Sequence, residues 1–221
     1  MPGWDEGCTG ESLGNGFKPE SMTKRIFILS VVVLCYLIIR DWDSEPIVHS
    51  PGILVTDSPR QVNVQPSGFS IDDYLVTRKA RFEIRARVLS TEPYYTGRTA
   101  DLSPLDLALG WGVMSNQAVI DQLNISQSGR WYRWRYEASP PVPEQLIINS
   151  SSNMHMIPAS KAIDRSLKKL RKGDIVSLSG YLVDVDHATG WHWRSSMTRT
   201  DTGDGACELV YVESLNVEPS G

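Results

Sequence analysis

The spacing of apolar positions changes along the chain, and each change marks a different kind of element. From Ile26 to Ile39 the residues read IFILSVVVLCYLII, apolar on every side of a helix with Ser30 as the polar interruption. As a helix this run is about 21 Å long, against a hydrocarbon core of about 30 Å. Met22, Thr23 and Trp42 extend it, and Lys24, Arg25 and Arg40 are placed to snorkel to an interface. A core helix would need a polar face, and none is present. A cleaved signal peptide needs small residues in an A-x-A-like pattern, and the chain continues IIRDWDSEP. A lipoprotein signal needs small residues before Cys35, where Val33 and Leu34 stand. The pattern therefore favours an uncleaved signal-anchor over residues 23–42, ahead of a cleaved signal or a buried helix. Lys18, Lys24 and Arg25 before the run, with Asp41, Asp43 and Glu45 after it, place the N-terminus inside and the body outside. Residues 1–22 carry no periodicity and read as a disordered tail. Met22 is a natural start for a signal-anchor, which would make the preceding residues an upstream extension.

Residues 43–68 hold Pro46, Pro51, Pro59 and Pro66 and read as an extended tether with room for one edge strand. Beyond it the period becomes two. In ARFEIRARVL, Phe82, Ile84, Ala86 and Val88 share one face and Arg81, Glu83, Arg85 and Arg87 the other. RWYRWRYEA sets Tyr132, Trp134 and Tyr136 against Trp131, Arg133 and Arg135. GDIVSLSGYLVDVD is apolar on both faces, with Gly180 where a bulge or bend fits. GWHWRSSMT follows a turn at His187 to Gly190, a hairpin, and ACELVYVESL is a further strand.

Helical signals are fewer. Ser103, Pro104 and Asp106 suggest a short helix through Leu109, and Gln117–Leu123 another. The clearest runs from Lys161 to Lys172, capped by Ser160, striped by Ile163, Leu167 and Leu170, and ended by Gly173. The fold class is therefore α+β. An N-terminal transmembrane helix precedes a globular domain over 69–217, a mainly antiparallel sheet or small OB-like barrel with one clear amphipathic helix.

The 221 residues are 41% hydrophobic and 22% charged, as in an ordinary folded protein, and the net charge of −4 argues against a nucleic-acid partner. Of three cysteines, only Cys207 belongs to the body, so no intradomain disulfide is available there.

Candidate chemistry is sparse. Asp201-Thr202-Gly203 matches the aspartic-protease triplet, but it occurs once, after polar TRT, and that chemistry needs two carboxylates sharing a proton; a turn is the better reading. Asp184, Asp186, His187 and His192 crowd the hairpin DVDHATGWHW, where a zinc site is conceivable but histidine and cysteine are too few. Met154, His155 and Met156 alternate, which suggests two core methionines and one exposed histidine rather than a copper site. Cys207 shares a face with Leu209 and Tyr211 and reads as a buried, inert thiol. No glycine-rich phosphate loop is present.

One constellation points to recognition. With the apolar faces inward, Arg85, Arg87, Arg133, Arg135 and Arg194 face outward together with Trp131 and His192, a stripe suited to carboxylate, phosphate or glycan groups. The plainer alternative is a solvated face whose arginines pair with Glu83 and Glu137.

Together, LSPLDLALGWG, ISQSGRWYRWR, NMHMIPAS and SSMTRTDTGDGACELVYVESL resemble a family of bacterial membrane-anchored proteins without an assigned activity, over Ala80 to Leu215. The resemblance implies a bacterial inner-membrane setting and carries no residue role. The functional expectation is a single-pass protein of that membrane, its C-terminal domain in the periplasm. This domain binds an envelope protein or an anionic envelope component, uses no metal or cofactor, and has no recognisable catalytic site. The alternative is an envelope hydrolase or metal-dependent enzyme built on Asp184, Asp186 and His192.

Overall fold

The computed structural model describes residues 19–42, 45–198 and 206–219. Residues 1–18 of the N-terminal tail and the Asp201–Gly203 turn lie outside them. The chain divides into two units, Met1–Ser44 and Glu45–Gly221.

The first unit contributes helix α1, Pro19–Trp42. Ile26, Phe27, Ile28, Leu29, Val32 and Leu34 are all exposed on it. Ser30, the polar residue of the run, donates its hydroxyl to the Ile26 carbonyl four residues back at 2.9 Å, so its polarity is satisfied within the helix. Among the described residues no helix is long and apolar enough to cross a membrane.

The second unit is α+β, with a mainly antiparallel sheet. Its strands are β1 (Arg60–Ile71), β2 (Tyr74–Pro93), β3 (Leu105–Gly110), β4 (Asn124–Ser128), β5 (Trp131–Arg135), β6 (Ser151–Pro158), β7 (Ile175–His187), β8 (His192–Trp193) and β9 (Glu208–Val217). Four short helices intervene: α2 (Arg98–Leu102), α3 (Gln117–Ile120), α4 (Glu144–Asn149) and α5 (Lys161–Leu167). β2 pairs with β3, β3 with β6, β6 with β9 in parallel, β9 with β7, and β7 back to β2, so the ladder returns to its first strand. β1 and β8 add edge strands, and β4 and β5 form a separate hairpin.

Strand parity explains the core. Phe82, Ile84, Ala86 and Val88 of β2, Leu107 and Leu109 of β3, Met154 and Met156 of β6, Leu178 and Leu182 of β7, and Val210 and Val212 of β9 converge in one buried cluster. α5 closes it with Leu167 and Leu170. Ser160 caps this helix by accepting from Ile163 N at 3.3 Å, and Gly173 at φ +100° ends the turn after it. The helix stops at Leu167, shorter than its apolar stripe, because the chain tightens into turns before Gly173. A second cluster, with Leu89, Met114, Ile120 and Ile147, is covered by Tyr132, Trp134 and Tyr136 of the hairpin.

Several expectations are corrected. Ser103 ends a helix rather than starting one, and Leu105–Gly110 is a fully buried strand, because both its faces are covered. The proline-bearing segment is no free tether from Glu45 onward. Ile47 N donates to Lys172 O at 2.8 Å, Val55 is buried, and β1 begins at Arg60.

Candidate functional site

The arginine stripe divides into three environments. Arg87 is 2% exposed and does not face outward. Its guanidinium donates to Gln117 Oε1, to Ser115 O at 3.3 Å and to Ile47 O at 3.4 Å, and burial lowers its pKa. The segment before β1 and the α3 region cover this end of β2, turning its polar face into a second interior. Arg85 forms a two-pronged pair with Glu218 at 2.6 and 2.8 Å, and its hydrogen bond holds the Glu218 carboxyl below the ordinary range. Arg194 is engaged by Asp186 at 2.5 Å and Val185 O at 2.8 Å. Glu83 is occupied by Arg81 at 3.2 Å and Arg60 at 3.7 Å.

Arg133 and Arg135 differ. They lie on the exposed face of β5 with Trp131, while Tyr132 and Trp134 are half-buried against the second core. Among the described residues neither arginine has an ion-pair partner. Arg135 also lines an open polar cleft of about 910 Å³, with Lys172 on its rim and Asp121 and Glu137 in its wall.

The acidic hairpin sets its carboxylates against cations. Asp184 lies 3.4 Å from Lys79 Nζ and 3.9 Å from Arg194, while Asp186 is held by Arg194. His192 is exposed on β8, opposite Asp186. Among the described residues no group of three or more His, Cys, Asp or Glu side chains is placed to hold a metal.

A third cluster escapes sequence reasoning. Asp106 on β3 and His155 on β6 are cross-strand partners on the side of the ladder opposite the methionines. Parity is as the alternation predicts, yet His155 is 4% exposed, not solvated, because other elements cover it. Its ring lies 4.7 Å from that of Trp193. Arg130, at the tip of the β4–β5 hairpin, reaches in as well. Gly129 and Arg130 have φ of 59° and 72°, the two left-handed positions of a tight hairpin turn, which costs a non-glycine residue roughly 1 kcal/mol. That backbone aims the guanidinium at Asp106 Oδ1, 2.6 Å away, and at Ser103 O, 2.9 Å away. It also lies 3.6 Å above the Tyr94 ring, whose hydroxyl accepts from Arg130 N at 2.8 Å. Burial, with the Asp106 charge, pushes the Tyr94 hydroxyl up to about 12.

His155 Nδ1 sits 2.9 Å from Asp106 Oδ1 but out of line for a hydrogen bond, and Asp106 Oδ2 is buried with no partner. Cys207, the residue just before β9, also acts on the charge of His155. Burial alone would lower the His155 pKa, but interaction with Asp106 and the Cys207 thiol outweighs it and raises the value above 6.5. Cys207 is partly exposed, not buried. Its sulfur receives Asn153 Nδ2 at 3.6 Å and lies 3.9 Å from Arg130 O. The one signal in the sequence was Asp106 itself, a carboxylate inside the apolar run LDLALG, which demands a buried cation.

Comparison of the chain with protein-family models, curated proteins and solved structures finds no match.

Proposed function

We propose that this protein is a membrane-anchored binding domain that captures an anionic envelope component through the exposed face of its β4–β5 hairpin. Arg133 and Arg135 carry the reading: two cations without a carboxylate partner among the described residues, on the same face as an exposed Trp131 in a chain of net charge −4. A guanidinium held beside an indole on a packed strand is preorganised for planar anionic groups. The hairpin is rigid by construction, with its inner face fixed by aromatics and its tip by Arg130.

Two further elements belong to the same reading. The closed sequence of pairings, with one parallel step between β6 and β9 and a helix between β6 and β7, supports the reading of a small five-stranded OB-like barrel. Such barrels carry their ligands on loops and outer strands rather than inside. The exposed apolar helix α1, bordered by Lys24 and Arg25, is the membrane anchor, short for a span and helped by its flanks, and the body lies in the periplasm.

The test is capture from gently solubilised bacterial membranes by full-length protein, compared with the Arg133→Glu, Arg135→Glu double variant. The reversed charges are expected to abolish capture of the anionic partner while leaving the melting temperature near wild type, since exposed substitutions cost about 0.5 kcal/mol or less. Undiminished capture would return these arginines to a solvated face. Full-length protein that is stripped from membranes by carbonate would overturn the anchor.

A further inference from the structure

We propose that the outer face of the β4–β5 hairpin is a platform for an acidic polysaccharide, a chain of sugar rings bearing carboxylate groups. This rests on the reading of Arg133 and Arg135 as an anion-binding pair and names the chemistry that the pair takes.

The register of the hairpin builds the platform. Ser128 lies opposite Trp131, Ser126 opposite Arg133, and Asn124 opposite Arg135. All of these are exposed, while Ile125, Tyr132 and Trp134 between them pack on the second core. The outer face is therefore a row of cross-strand rungs, each setting a hydroxyl or amide beside an indole or guanidinium. Successive rungs are two residues apart, about 7 Å along the strand. Among the described residues none of these outer side chains has a hydrogen-bond or ion-pair partner. The Arg133 guanidinium lies over the Trp131 ring, 6.0 Å from its centre.

That set of groups selects among ligands. A protein partner needs an apolar centre to its interface, and Trp131 is the one large apolar side chain on this face. A single-stranded nucleic acid needs a ring for each of several bases, and this face offers one, in a chain of net charge −4. An isolated phosphate leaves the indole and the row of hydroxyls unused. A sugar chain with acid groups uses all of them. The C–H face of a sugar ring packs on the electron-rich face of an indole. Its hydroxyls exchange hydrogen bonds with Ser126, Ser128 and Asn124, each of which both donates and accepts. A carboxylate closes a two-pronged pair on a guanidinium. With rungs about 7 Å apart, the acid groups sit on separate units of one chain.

The platform also has a direction. Its tip is fixed by Arg130, 2.6 Å from Asp106. At the other end Arg135 and Asn124 line the polar cleft of about 910 Å³, with Lys172 on its rim. A chain stacked on Trp131 and running past Arg133 and Arg135 therefore meets a further cation as it leaves the hairpin.

The experiment titrates full-length protein in mild detergent, by calorimetry, with polygalacturonate, with its uncharged methyl ester, and with poly-L-glutamate, which carries carboxylates without sugars. Polygalacturonate is expected to bind at least about tenfold tighter than either of the others. Trp131→Ala changes a side chain that is 41% exposed, so the fold should survive, as circular dichroism will check. It is expected to weaken polygalacturonate binding about tenfold and to leave poly-L-glutamate binding unchanged. Equal affinity for polygalacturonate and poly-L-glutamate, or no effect of Trp131→Ala, overturns the polysaccharide and leaves the anion-binding hairpin standing. Absence of polygalacturonate binding also overturns it, whatever membrane capture through the two arginines shows. Binding of polygalacturonate and poly-L-glutamate that is undiminished in Arg133→Glu, Arg135→Glu overturns the anion reading itself, and the polysaccharide with it.

Discussion

Replacing Gly180 with alanine tests how tightly the five-strand ring is closed. Gly180 sits on β7 between Phe82 of β2 and Val212 of β9, where the β7–β9 register shifts. A Cβ built there would lie 1.9 Å from the Tyr211 carbonyl oxygen and 3.0 Å from its carbon, both backbone atoms. Ordinary contact would require that peptide to retreat by about 1.5 Å. It cannot do so freely, because Tyr211 pairs with Tyr181 on one side and Ile157 on the other. Displacing it would cost about two ladder hydrogen bonds at about 1 kcal/mol each, plus about 1–3 kcal/mol of overpacking. The sum is about 3–5 kcal/mol, a large share of a typical stability of about 5–15 kcal/mol. For a chain of this size that corresponds to a fall in melting temperature of roughly 6–20 °C. Gly190 is the control: a Cβ there meets nothing within 4 Å, but its φ is +84°, so alanine should cost only about 1–2 kcal/mol. The assay is thermal unfolding of the full-length protein followed by circular dichroism. If Gly180→Ala costs no more than Gly190→Ala, β7 and β9 are not packed as described.

Three further outcomes follow from the same packing. Leu167→Asp puts a charge where the side chain is 1% exposed, so a loss of about 3 kcal/mol or more is expected on chemical denaturation, and an unchanged midpoint would show that α5 is not docked. Arg87→Leu removes the donor to the Ser115 and Ile47 carbonyls and leaves Gln117 Oε1 with His49 N alone, so it should destabilise by about 2–4 kcal/mol; a neutral result would mean water takes over that role. His155 holds its proton more tightly folded than unfolded, so its contribution is fully present below about pH 6.5 and is lost as pH rises through the higher folded value. Stability should therefore fall more between pH 6 and pH 8 in wild type than in Asp106→Asn, and equal falls in urea titrations would refute the coupling.

Period-two patterning was enough to identify β2, β5, β7 and β9, and in β5 it also assigned the faces, because one side of that strand packs on the second core and the other is exposed. Arg133 and Arg135 are exposed and Tyr132 and Trp134 half-buried, as parity demands. Where the pattern misled, a second layer had covered the polar face. Arg87 alternates correctly with Ala86 and Val88, yet the segment around Ile47 and the α3 region bury it, and nothing local in ARFEIRARVL records that cover. The strand β3 was lost for the opposite reason. Ser103-Pro104 followed by an acid is a sound helix start, but tertiary pairing on both sides of Leu105–Gly110 outweighed it.

The Asp106–His155–Cys207 cluster was beyond reach for a topological reason. Its members come from β3, β6 and the approach to β9, and Arg130 comes from a hairpin outside the main sheet. Cys207 reaches Asn153 of β6 because β9 lies parallel to β6, a pairing between strands far apart in sequence that no turn or loop length announces. Taken singly, a lone cysteine before an apolar strand and a lone histidine between two methionines are each most economically explained by packing. Only Asp106 carried a local contradiction, a carboxylate in a run whose every other position is apolar. A buried carboxylate must find a cation, so the search that such a residue licenses is for its partner. Arg130 at a positive-φ turn position answers it, and His155 comes with it.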